Sequence, residues 1–451
     1  MNAPVPATVA DFYLPGNAAY SLLDSAIDAA RYTVAATMPC EVGANAHSFL
    51  TDIEGKPART GGRLIQGIGY CADAPYGAAA LFALGRFTGR PEFSLTAAAI
   101  ARHAVRAGYL ADPDVPVRLY RDAETHEFFD QLEARSSFFD VGHMAKTVEN
   151  LVRLTPRLDE EEQETVIAAA RHFASFVGRC ARTPTGWLPR RTAHDMSAYR
   201  LARIPPHAPD MAPREDAVAE TSGAGLLTLS CMLKLDQAGL ADTRAFLREA
   251  ADAFVDGGGY FGSTNTDTDD PEEMVSVALA VQVLLGIASH LGIARYRDFA
   301  LEACLPRLRR FHMADDRNGQ PTRGLLFLSD SYSSACLWEC SEAALAYFRA
   351  AQARGHAADV LAGLSILRGI ARNHHGPLGF LPSELDWNGR MAPDKHLVPG
   401  RYGPRAVTHP YMNNLHVVTS TLFYLENIAA TFDEAAALAG AAGESRGGDR
   451  A

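Results

Sequence analysis

Apolar residues recur along most of the chain at spacings of three and four, the spacing of a helix that buries one face. Runs in which apolar and polar residues alternate, as they do in a strand, are almost absent. The pattern predicts twelve helices, at residues 17–37, 75–88, 93–108, 139–155, 160–180, 216–236, 242–256, 271–291, 296–312, 332–352, 356–373 and 411–430.

Two kinds of helix alternate in this series. Residues 160–180 place Ile167, Phe173 and Val177 on one face and charged residues on the other, as in a half-exposed helix. Residues 271–291 are instead apolar or small on nearly every side, as in a helix that is buried all round. The alternation predicts an inner ring of buried helices inside an outer ring of half-exposed helices.

The predicted fold is all-α, an (α/α)6 toroid of six helical hairpins in which the first and last helices pair to close the ring. Unequal spacing between the helices predicts loop insertions at one end of the toroid, at about 111–138, 187–215 and 381–410. Elaborated loops on one side of a repeat usually carry its binding face. A linear helical solenoid stays open as an alternative, because periodicity alone does not specify closure.

Composition narrows the class of protein. Apolar residues make up 47% of the chain and charged residues 21%, and the net charge is -11, as in an ordinary soluble globular protein. No basic block indicates nucleic-acid binding, and no uninterrupted run of apolar residues indicates a membrane span. The seven cysteines and the lack of a signal-peptide pattern predict a cytoplasmic protein with reduced thiols. We expect one barrel domain over residues 1–432 and a disordered tail over 433–451.

In this arrangement the first turns of the inner helices point into one shared cavity. Candidate catalytic carboxylates there are Asp140, Glu220 and Asp269. Paired carboxylates across a cavity suit glycoside cleavage, since one protonates the leaving oxygen and the other activates water or attacks. Asp140 and Glu220 are favoured as acid and base because small residues follow each of them. Any single acid in a first helical turn can instead serve only as a helix cap.

Other polar and aromatic residues at the same end are candidates for substrate binding. Flat aromatic faces suit sugar rings, and arginines beside them suit a carboxylate or a phosphate. The candidate substrate-binding residues are His143, Trp187, Arg191, His194, Tyr332, Trp387, Arg401, His409, Tyr411 and Asn413. We expect a small-molecule substrate, no metal and no cofactor. Cys336 and Cys340 lie one helical turn apart, but no further Cys or His pair stands at a matching metal-ligand spacing.

Two stretches resemble a known group of enzymes. "DVGHMAKTVENLVRLT" at 140–155 and "AVAETSGAGLLTLSCMLKL" at 217–235 are similar to helices of (α/α)6-barrel carbohydrate-active enzymes. The resemblance is to the unsaturated glucuronyl and rhamnogalacturonyl hydrolases and to the bacterial β-L-arabinofuranosidases. It implies a cytoplasmic enzyme that trims imported oligosaccharides. In the arabinofuranosidases this second helix supplies Glu and Cys to zinc, whereas here Thr221 and Ser222 follow Glu220, which favours metal-independent chemistry.

A third stretch resembles a different group of enzymes. "DTDDPEEMVSVALAVQVLL" at 267–285 resembles the Asp-x-Asp-Asp helix of class II terpene cyclases, which implies that Asp269 protonates a prenyl substrate. In the plainer interpretation, Asp269 or Asp270 caps a helix that has Pro271 at its first position.

Three functional hypotheses therefore stand at this point. The first is a glycoside hydrolase or lyase-like enzyme that uses Asp140 and Glu220 on a small, acidic saccharide. The alternatives are a terpene cyclase-like enzyme and a non-catalytic binding toroid. The sequence leaves the oligomeric state open.

Overall fold

A computed structural model of the chain describes most of the predicted helices. The described residues are 13–14, 17–36, 39–40, 43–44, 65–69, 74–129, 138–200, 215–264, 270–316, 321–331, 334–374, 381, 384–385, 406–407 and 415–429. The helices are α1 Leu22–Ala36, α2 Ala74–Thr88, α3 Pro91–Arg106, α4 Val141–Leu154, α5 Glu160–Arg179, α6 Gly225–Gln237, α7 Arg244–Asp256, α8 Met274–Leu291, α9 Ala294–Phe299, α10 Leu305–Arg309, α11 Leu337–Arg354, α12 Ala357–Ala371 and α13 His416–Phe423.

The strands are short and pair antiparallel in five small sheets. They are β1 Tyr13–Leu14, β2 Asn17–Ser21, β3 Pro39–Cys40, β4 Gly43–Ala44, β5 Ile65–Gly67, β6 Tyr120–Asp122, β7 Phe128–Phe129, β8 Phe138–Phe139, β9 Thr192–Ala193, β10 Ala335–Cys336, β11 Glu384–Leu385 and β12 Ala406–Val407. The pairings are β1 with β2, β3 with β4, β6 with β5 and β7, β8 with β9, and β11 with β10 and β12.

Six helices form a closed inner ring. α2, α4, α6, α8, α11 and α13 pack in that order, and α13 packs back against α2. Each inner helix also packs against an outer one, and the pair that joins the two ends of the chain is α1 with α13. This closure confirms the predicted all-α (α/α)6 toroid and rules out the linear solenoid.

The outer helix α5 illustrates how the sequence specifies an element of the outer ring. Asp159 accepts a hydrogen bond from the backbone N–H of Glu162, and the Glu162 side chain accepts one from the backbone N–H of Asp159, which forms a capping box. Phe173 and Val177 are buried on one face, as the spacing predicted. The helix therefore lies with its charged face outward.

The inner helix α8 illustrates the other pattern. By length and composition alone, α8 could cross a membrane. No such segment was expected from the sequence. Of that helix, 72% is buried among the other elements. Its place in the inner ring accounts for an apolar composition on every side.

The two ends of the toroid differ in their loops. Each inner helix connects to the following outer helix through a short turn, as between Thr88 and Pro91 or Arg354 and Ala357. The connections from outer to inner helices are longer and include the strands β5 to β12. The predicted insertions therefore lie at one end, where the inner helices begin.

The predicted starts of α8 and α6 need correction. α8 begins at Met274, and its N-cap residue is Glu273, so neither Asp270 nor Pro271 belongs to the helix. The Glu273 carboxylate reaches back to the loop and accepts hydrogen bonds from Ser263 and Thr264. α6 begins at Gly225 rather than at 216, so residues 216–222 form a loop that precedes the helix.

The predicted helix at 296–312 is divided into shorter segments. It consists of α9, one π turn at Ala300–Cys304 and α10. Pro306 explains the irregularity, because proline lacks the backbone N–H and its ring clashes with the carbonyl of the preceding turn.

The cysteines whose side chains the structure describes are buried and form no disulfide, as predicted for core thiols. They are Cys180, Cys231, Cys304, Cys336 and Cys340. The Cys340 thiol contacts the backbone of Leu326, and burial raises its pKa to about 12. Within the described part of the chain, no group of His, Cys, Asp and Glu has the arrangement of a metal site.

Candidate active site

A cavity of about 540 Å³ lies inside the inner ring. All six inner helices contribute to its wall, which confirms that the ring encloses a shared space. One lining residue from each of α2, α4, α6, α8, α11 and α13, in that order, is Tyr76, Lys146, Leu227, Gln282, Glu342 and Thr419.

Three ionisable side chains from different inner helices form a hydrogen-bonded chain at this wall. The Nζ atom of Lys146 lies 3.2 Å from Nε2 of His416, and Nδ1 of His416 lies 2.9 Å from Oε1 of Glu342. Gln282 donates from Nε2 to the other carboxylate oxygen of Glu342 at 3.0 Å. Lys146 and Glu342 line the cavity, and His416 lies fully buried between them. We call Lys146, His416 and Glu342 the central triad.

Aromatic rings enclose the central triad. The rings of Tyr76 and His416 are stacked, and Trp338 lies at 5.3 Å from the His416 ring. The Lys146 ammonium lies 4.8 Å from the ring centroid of Tyr76 and 5.3 Å from that of Trp338. Cations are attracted to aromatic faces at these distances. The rings therefore hold the lysine and the imidazole in place.

The pKa of Glu342 shows how strongly the central triad is coupled. Burial by itself raises the pKa of this carboxyl, but the hydrogen bond and the charge of His416 outweigh it, and Lys146 and Gln282 act in the same direction. The pKa falls to about 2 as a result. Glu342 is therefore a fixed anion near neutral pH that accepts the Nδ1–H of His416 and leaves Nε2 facing the lysine.

Such a chain can move a proton between the cavity and the buried histidine. When the Lys146 ammonium passes a proton to Nε2, the imidazolium that forms is stabilised by the Glu342 carboxylate. The amine left on Lys146 is then a base at the cavity wall. When the proton returns, the same residue is an acid. The arrangement supports reversible proton transfer to and from one bound molecule.

Asp140 and His143 are brought together as predicted, at the first turn of α4. Asp140 is the N-cap residue and accepts from the backbone N–H of His143, and its other carboxylate oxygen lies 2.7 Å from Nδ1 of His143. Burial raises the pKa of Asp140, but the contacts with His143 and the charge of Arg191 outweigh it and hold the pKa below its usual range. Asp140 therefore caps α4 and also contacts the His143 side chain.

Glu220 lies in the loop before α6 and not in a helical turn. Its carboxylate pairs with Arg200, and both side chains are partly exposed. Neither Asp140 nor Glu220 is among the residues that line the central cavity. The prediction that these two carboxylates act as an acid and base pair remains a prediction.

Trp187 and Arg191, two predicted substrate-binding residues, lie in the core instead. Trp187 is completely buried, donates from Nε1 to the backbone carbonyl of Ser222 at 2.9 Å and packs against Tyr260. Such a ring offers no free face to a sugar, so assigning substrate binding to Trp187 was wrong.

Arg191 belongs to a buried ion cluster with Arg190 and Asp216. The two guanidinium groups donate to the two carboxylate oxygens of Asp216 at 2.8 Å and 3.0 Å. All three side chains are at most 3% exposed. Their role is structural, because a charge that is buried this deeply needs a partner and here has one. His194 packs against Phe139 at the same end and stays a candidate for substrate binding.

The remaining candidates lie outside the described residues. They are Asp269, Tyr332, Trp387, Arg401, His409, Tyr411 and Asn413.

Lys146 and Glu342 are site residues that motif reasoning missed, because they belong to no catalytic motif. The signal was present in the sequence, since each is a charged residue on a helix that belongs to the buried inner ring. A charge on a helix that is buried on all sides must meet a partner or face a cavity. The predicted catalytic carboxylates all belong to predicted first turns, and Lys146 and Glu342 lie beyond the first turns of α4 and α11.

Solved structures of sugar-converting enzymes share this fold. The chain matches a D-mannose isomerase with a TM-score of 0.60 at 10% identity, over 90% of this chain and 97% of that one. It matches a sugar epimerase from a ruminal bacterium with a TM-score of 0.60 at 12% identity, over 89% and 98% of the two chains. For cellobiose 2-epimerase from Bacillus thermoamylovorans B4167 the TM-score is 0.61 at 10% identity, over 89% and 99%.

These matches confirm the resemblance to (α/α)6-barrel carbohydrate-active enzymes at the level of the fold. None of the three is a terpene cyclase, so that second resemblance stays a prediction. No family model and no curated protein matches the chain.

Proposed function

We propose that this protein is a sugar isomerase or epimerase that moves a proton at the carbon next to a carbonyl group. The observation that carries the proposal is the central triad, in which Lys146 lies at the cavity wall and is hydrogen-bonded to His416 and, through it, to Glu342. The substrate would be an open-chain reducing sugar bound in the cavity.

The reaction would run in two balanced halves. In the first, neutral Lys146 takes the proton from C2, the electron pair of the C–H bond forms a C1–C2 double bond, and the carbonyl electron pair moves onto O1, which gives an enediolate. In the second, the Lys146 ammonium returns the proton to carbon. Return to C1, with the O2 proton passing to O1, gives the ketose. Return to C2 after the enediolate has turned its opposite face towards Lys146 gives the epimer. No atom is gained or lost, so the reaction needs no co-substrate.

Among the residues that the structure describes, the two carboxylates that line the cavity favour proton transfer over glycoside cleavage. A glycosidase needs a protonated carboxyl to give a proton to the leaving oxygen. Glu342 is instead ionised near neutral pH, since its pKa is about 2. The carboxylate of Glu149 accepts hydrogen bonds from Arg153 at 2.6 Å and from Ser230 at 2.9 Å. Both carboxylates therefore already accept hydrogen bonds from neighbouring side chains of the protein.

The shared fold with the D-mannose isomerase and the cellobiose 2-epimerase supports this reaction class. At 10% identity that likeness concerns the fold, so the proposed reaction rests on the residues of the cavity. Hydrolysis or elimination by Asp140 and Glu220 is the second candidate. One observation favours it, namely the contact between Asp140 and His143 at 2.7 Å at the loop-bearing end.

The experiment is incubation of the protein with a panel of aldoses and ketoses in D2O, followed by NMR. Isomerisation or epimerisation through an enediol places deuterium at C1 or C2 of the sugar. We expect Lys146→Met to lower the turnover number by about 10²–10⁴-fold, the usual contribution of a general acid or base. Glu164→Gln, an exposed carboxylate on α5, should have no effect.

Three results would speak against the proposal. One is product formation without any deuterium at carbon. Another is Lys146→Met with the turnover number of the parent protein. The third is cleavage of a glycoside by the parent protein that Asp140→Asn abolishes and Lys146→Met does not, which would favour the second candidate.

A further inference from the structure

Three cationic side chains from three inner helices line the end of the cavity away from the long loops. They are Arg153 of α4, Lys234 of α6 and Arg349 of α11. Arg153 follows Lys146 by two helical turns, and Arg349 follows Glu342 by two helical turns, a rise of about 10 Å in each helix. The cations therefore form a second level of the same cavity. We call Arg153, Lys234 and Arg349 the cationic cluster.

The described residues supply only one carboxylate to this level of the cavity. Glu149 pairs with Arg153, whose Nη2 lies 2.6 Å from Oε1, and also accepts from Ser230. Lys234 donates to the neutral side chain of Gln237 at 3.3 Å. Glu149 is thus the described carboxylate at the level of the three cations, and Glu342, two helical turns away, acts on Arg349 through its charge.

Arg349 is the member with the fewest partners. Its Nε atom is buried, and no acceptor among the described residues lies within hydrogen-bonding distance of it. Its guanidinium carbon lies 5.0 Å from the ring centroid of Phe423, so the aromatic face supports the cation without accepting its N–H groups. Arginine presents its donors in a planar fork that matches a carboxylate or a phosphate. The buried N–H of Arg349 is an unused donor at the cavity wall.

The charges also act on one another. Burial lowers the pKa of both Lys234 and Arg349, and the positive charge of Arg153 lowers both further, while Glu149 partly offsets these effects. The C-termini of the inner helices stabilise cations here, because the helix dipole is negative at its C-terminus. Those dipoles supply no acceptor to the Nε of Arg349.

We propose that the cationic cluster binds the anionic group of the substrate, a phosphate or a carboxylate at the end of the sugar opposite the reacting carbonyl. The assignment of this anion to the substrate rests on the proposed function, whereas the anion site itself rests on the cationic cluster alone. The substrate class would then be a sugar phosphate or a sugar acid, with its carbonyl end at Lys146 and its anionic end two helical turns away.

The first test measures binding of inorganic phosphate by calorimetry to the full chain and to Arg349→Gln. We expect phosphate to bind the parent protein and to bind the variant at least tenfold more weakly. Arg297→Gln is the matched control, because Arg297 is exposed and paired with Asp298 on the outer helix α9. Lys234→Met is a second variant for the case in which Arg349→Gln does not fold, as judged by its melting temperature. Equal phosphate affinity in the parent protein and in either folded variant would overturn the proposal.

The second test separates the two sources of the anion. The values of kcat/KM are compared for an aldohexose, the matching aldohexose 6-phosphate and the matching hexuronate. We expect one anionic sugar to exceed the neutral sugar by tenfold or more, and Arg349→Gln to reduce that ratio by tenfold or more. The anionic sugar with the higher value identifies the source. A preference for the neutral sugar would overturn the proposal.

The two proposals can fail separately. Phosphate binding that Arg349→Gln abolishes, without turnover of any sugar, would support the anion site and contradict the isomerase. Turnover of neutral sugars that depends on Lys146, without phosphate binding, would support the isomerase and overturn the anion site.

Discussion

The ring of His416 lies nearly parallel to the ring of Tyr76, with centroids 3.8 Å apart and planes 20° from parallel. The two residues belong to α13 and α2, the inner helices whose contact closes the toroid. The same contact therefore closes the fold and fixes the orientation of the imidazole in the central triad.

Substitution of Tyr76 should separate stacking from hydroxyl chemistry. Tyr76→Phe keeps the ring against His416 and should retain most of the turnover, whereas Tyr76→Ala leaves the imidazole without its support. We expect Tyr76→Ala to lower kcat by about 10²-fold, because misplacement of a reacting group by about 1 Å has that effect. Steady-state kinetics on the sugar that the parent protein converts would measure it. Equal loss in both variants would instead implicate the hydroxyl.

Because Glu342 is ionised in the folded protein, the free energy of unfolding should depend on pH. Its pKa in the folded protein, about 2, lies below the ordinary value of 4.5, so ionisation stabilises the folded state at and above about pH 4.5. That contribution is lost as the pH falls from about 4.5 towards 2. We expect Glu342→Gln to lower the free energy of unfolding at pH 7 by about 1–3 kcal/mol.

Urea unfolding across pH measures this effect. The gap between Glu342→Gln and the parent protein should narrow below about pH 4.5 and nearly close at pH 2. Glu164→Gln makes the same change at an exposed site and should stay close to the parent protein at every pH. A gap of constant size would mean that packing, and not charge, stabilises this position.

The buried ion cluster of Asp216 with Arg190 and Arg191 should be a strong determinant of stability. Asp216→Asn leaves two buried guanidinium groups without their counter-charge, which costs about 3–5 kcal/mol. The matched control is Asp298→Asn, which removes an exposed partner of Arg297 and should cost less than about 1 kcal/mol. Chemical denaturation of both variants gives the comparison. Similar small losses would show that water replaces the aspartate.

Substitution of two helical glycines on the outer ring by alanine should change the stability of the protein in opposite directions. A Cβ on Gly363 of α12 would overlap the ring of the buried Phe348, and overpacking of this kind costs about 1–3 kcal/mol. A Cβ on Gly178 of α5 meets nothing within 4 Å, so Gly178→Ala should stabilise the helix by roughly 0.5–1 kcal/mol. Melting temperatures would therefore move down for Gly363→Ala and up for Gly178→Ala. A rise for both would mean that α12 shifts to admit the methyl group.

The sequence was sufficient for the helices and for their arrangement in two rings. The predicted range 160–180 agrees with α5 at Glu160–Arg179, because capping and apolar spacing are local properties of the chain. The difference between buried and half-exposed helices predicted an inner and an outer ring, whereas closure is seen only in the contact of α13 with α2.

The helix starts at the site were harder to predict, because side chains there bind to distant segments. Glu273 is the N-cap residue of α8, but its carboxylate binds the loop at Ser263 and Thr264 and makes no capping hydrogen bond. Asp216 resembled an acid at a helix entrance, and two arginines more than twenty residues earlier bury it instead. Tertiary partners of this kind leave no local pattern.

The central triad could not be assembled from sequence for a similar reason. Lys146, Glu342 and His416 lie on three inner helices that are far apart along the chain, and they meet only because α4, α11 and α13 belong to one ring. Taken singly, each of the three is an ordinary polar side chain on a helix. Their relationship appears only when the ring closes.

The pairing of α1 with α13 has a consequence for synthesis on the ribosome. α1 ends at Ala36 and its partner begins at His416, so the first helix leaves the exit tunnel long before the surface that covers it exists. Until then, the apolar face of α1 and the open edge of α2 are exposed in a nascent chain whose other hairpins can already pair with their neighbours. Binding by a chaperone at this stage would be directed to the beginning of the chain, and release would await translation of the last inner helix.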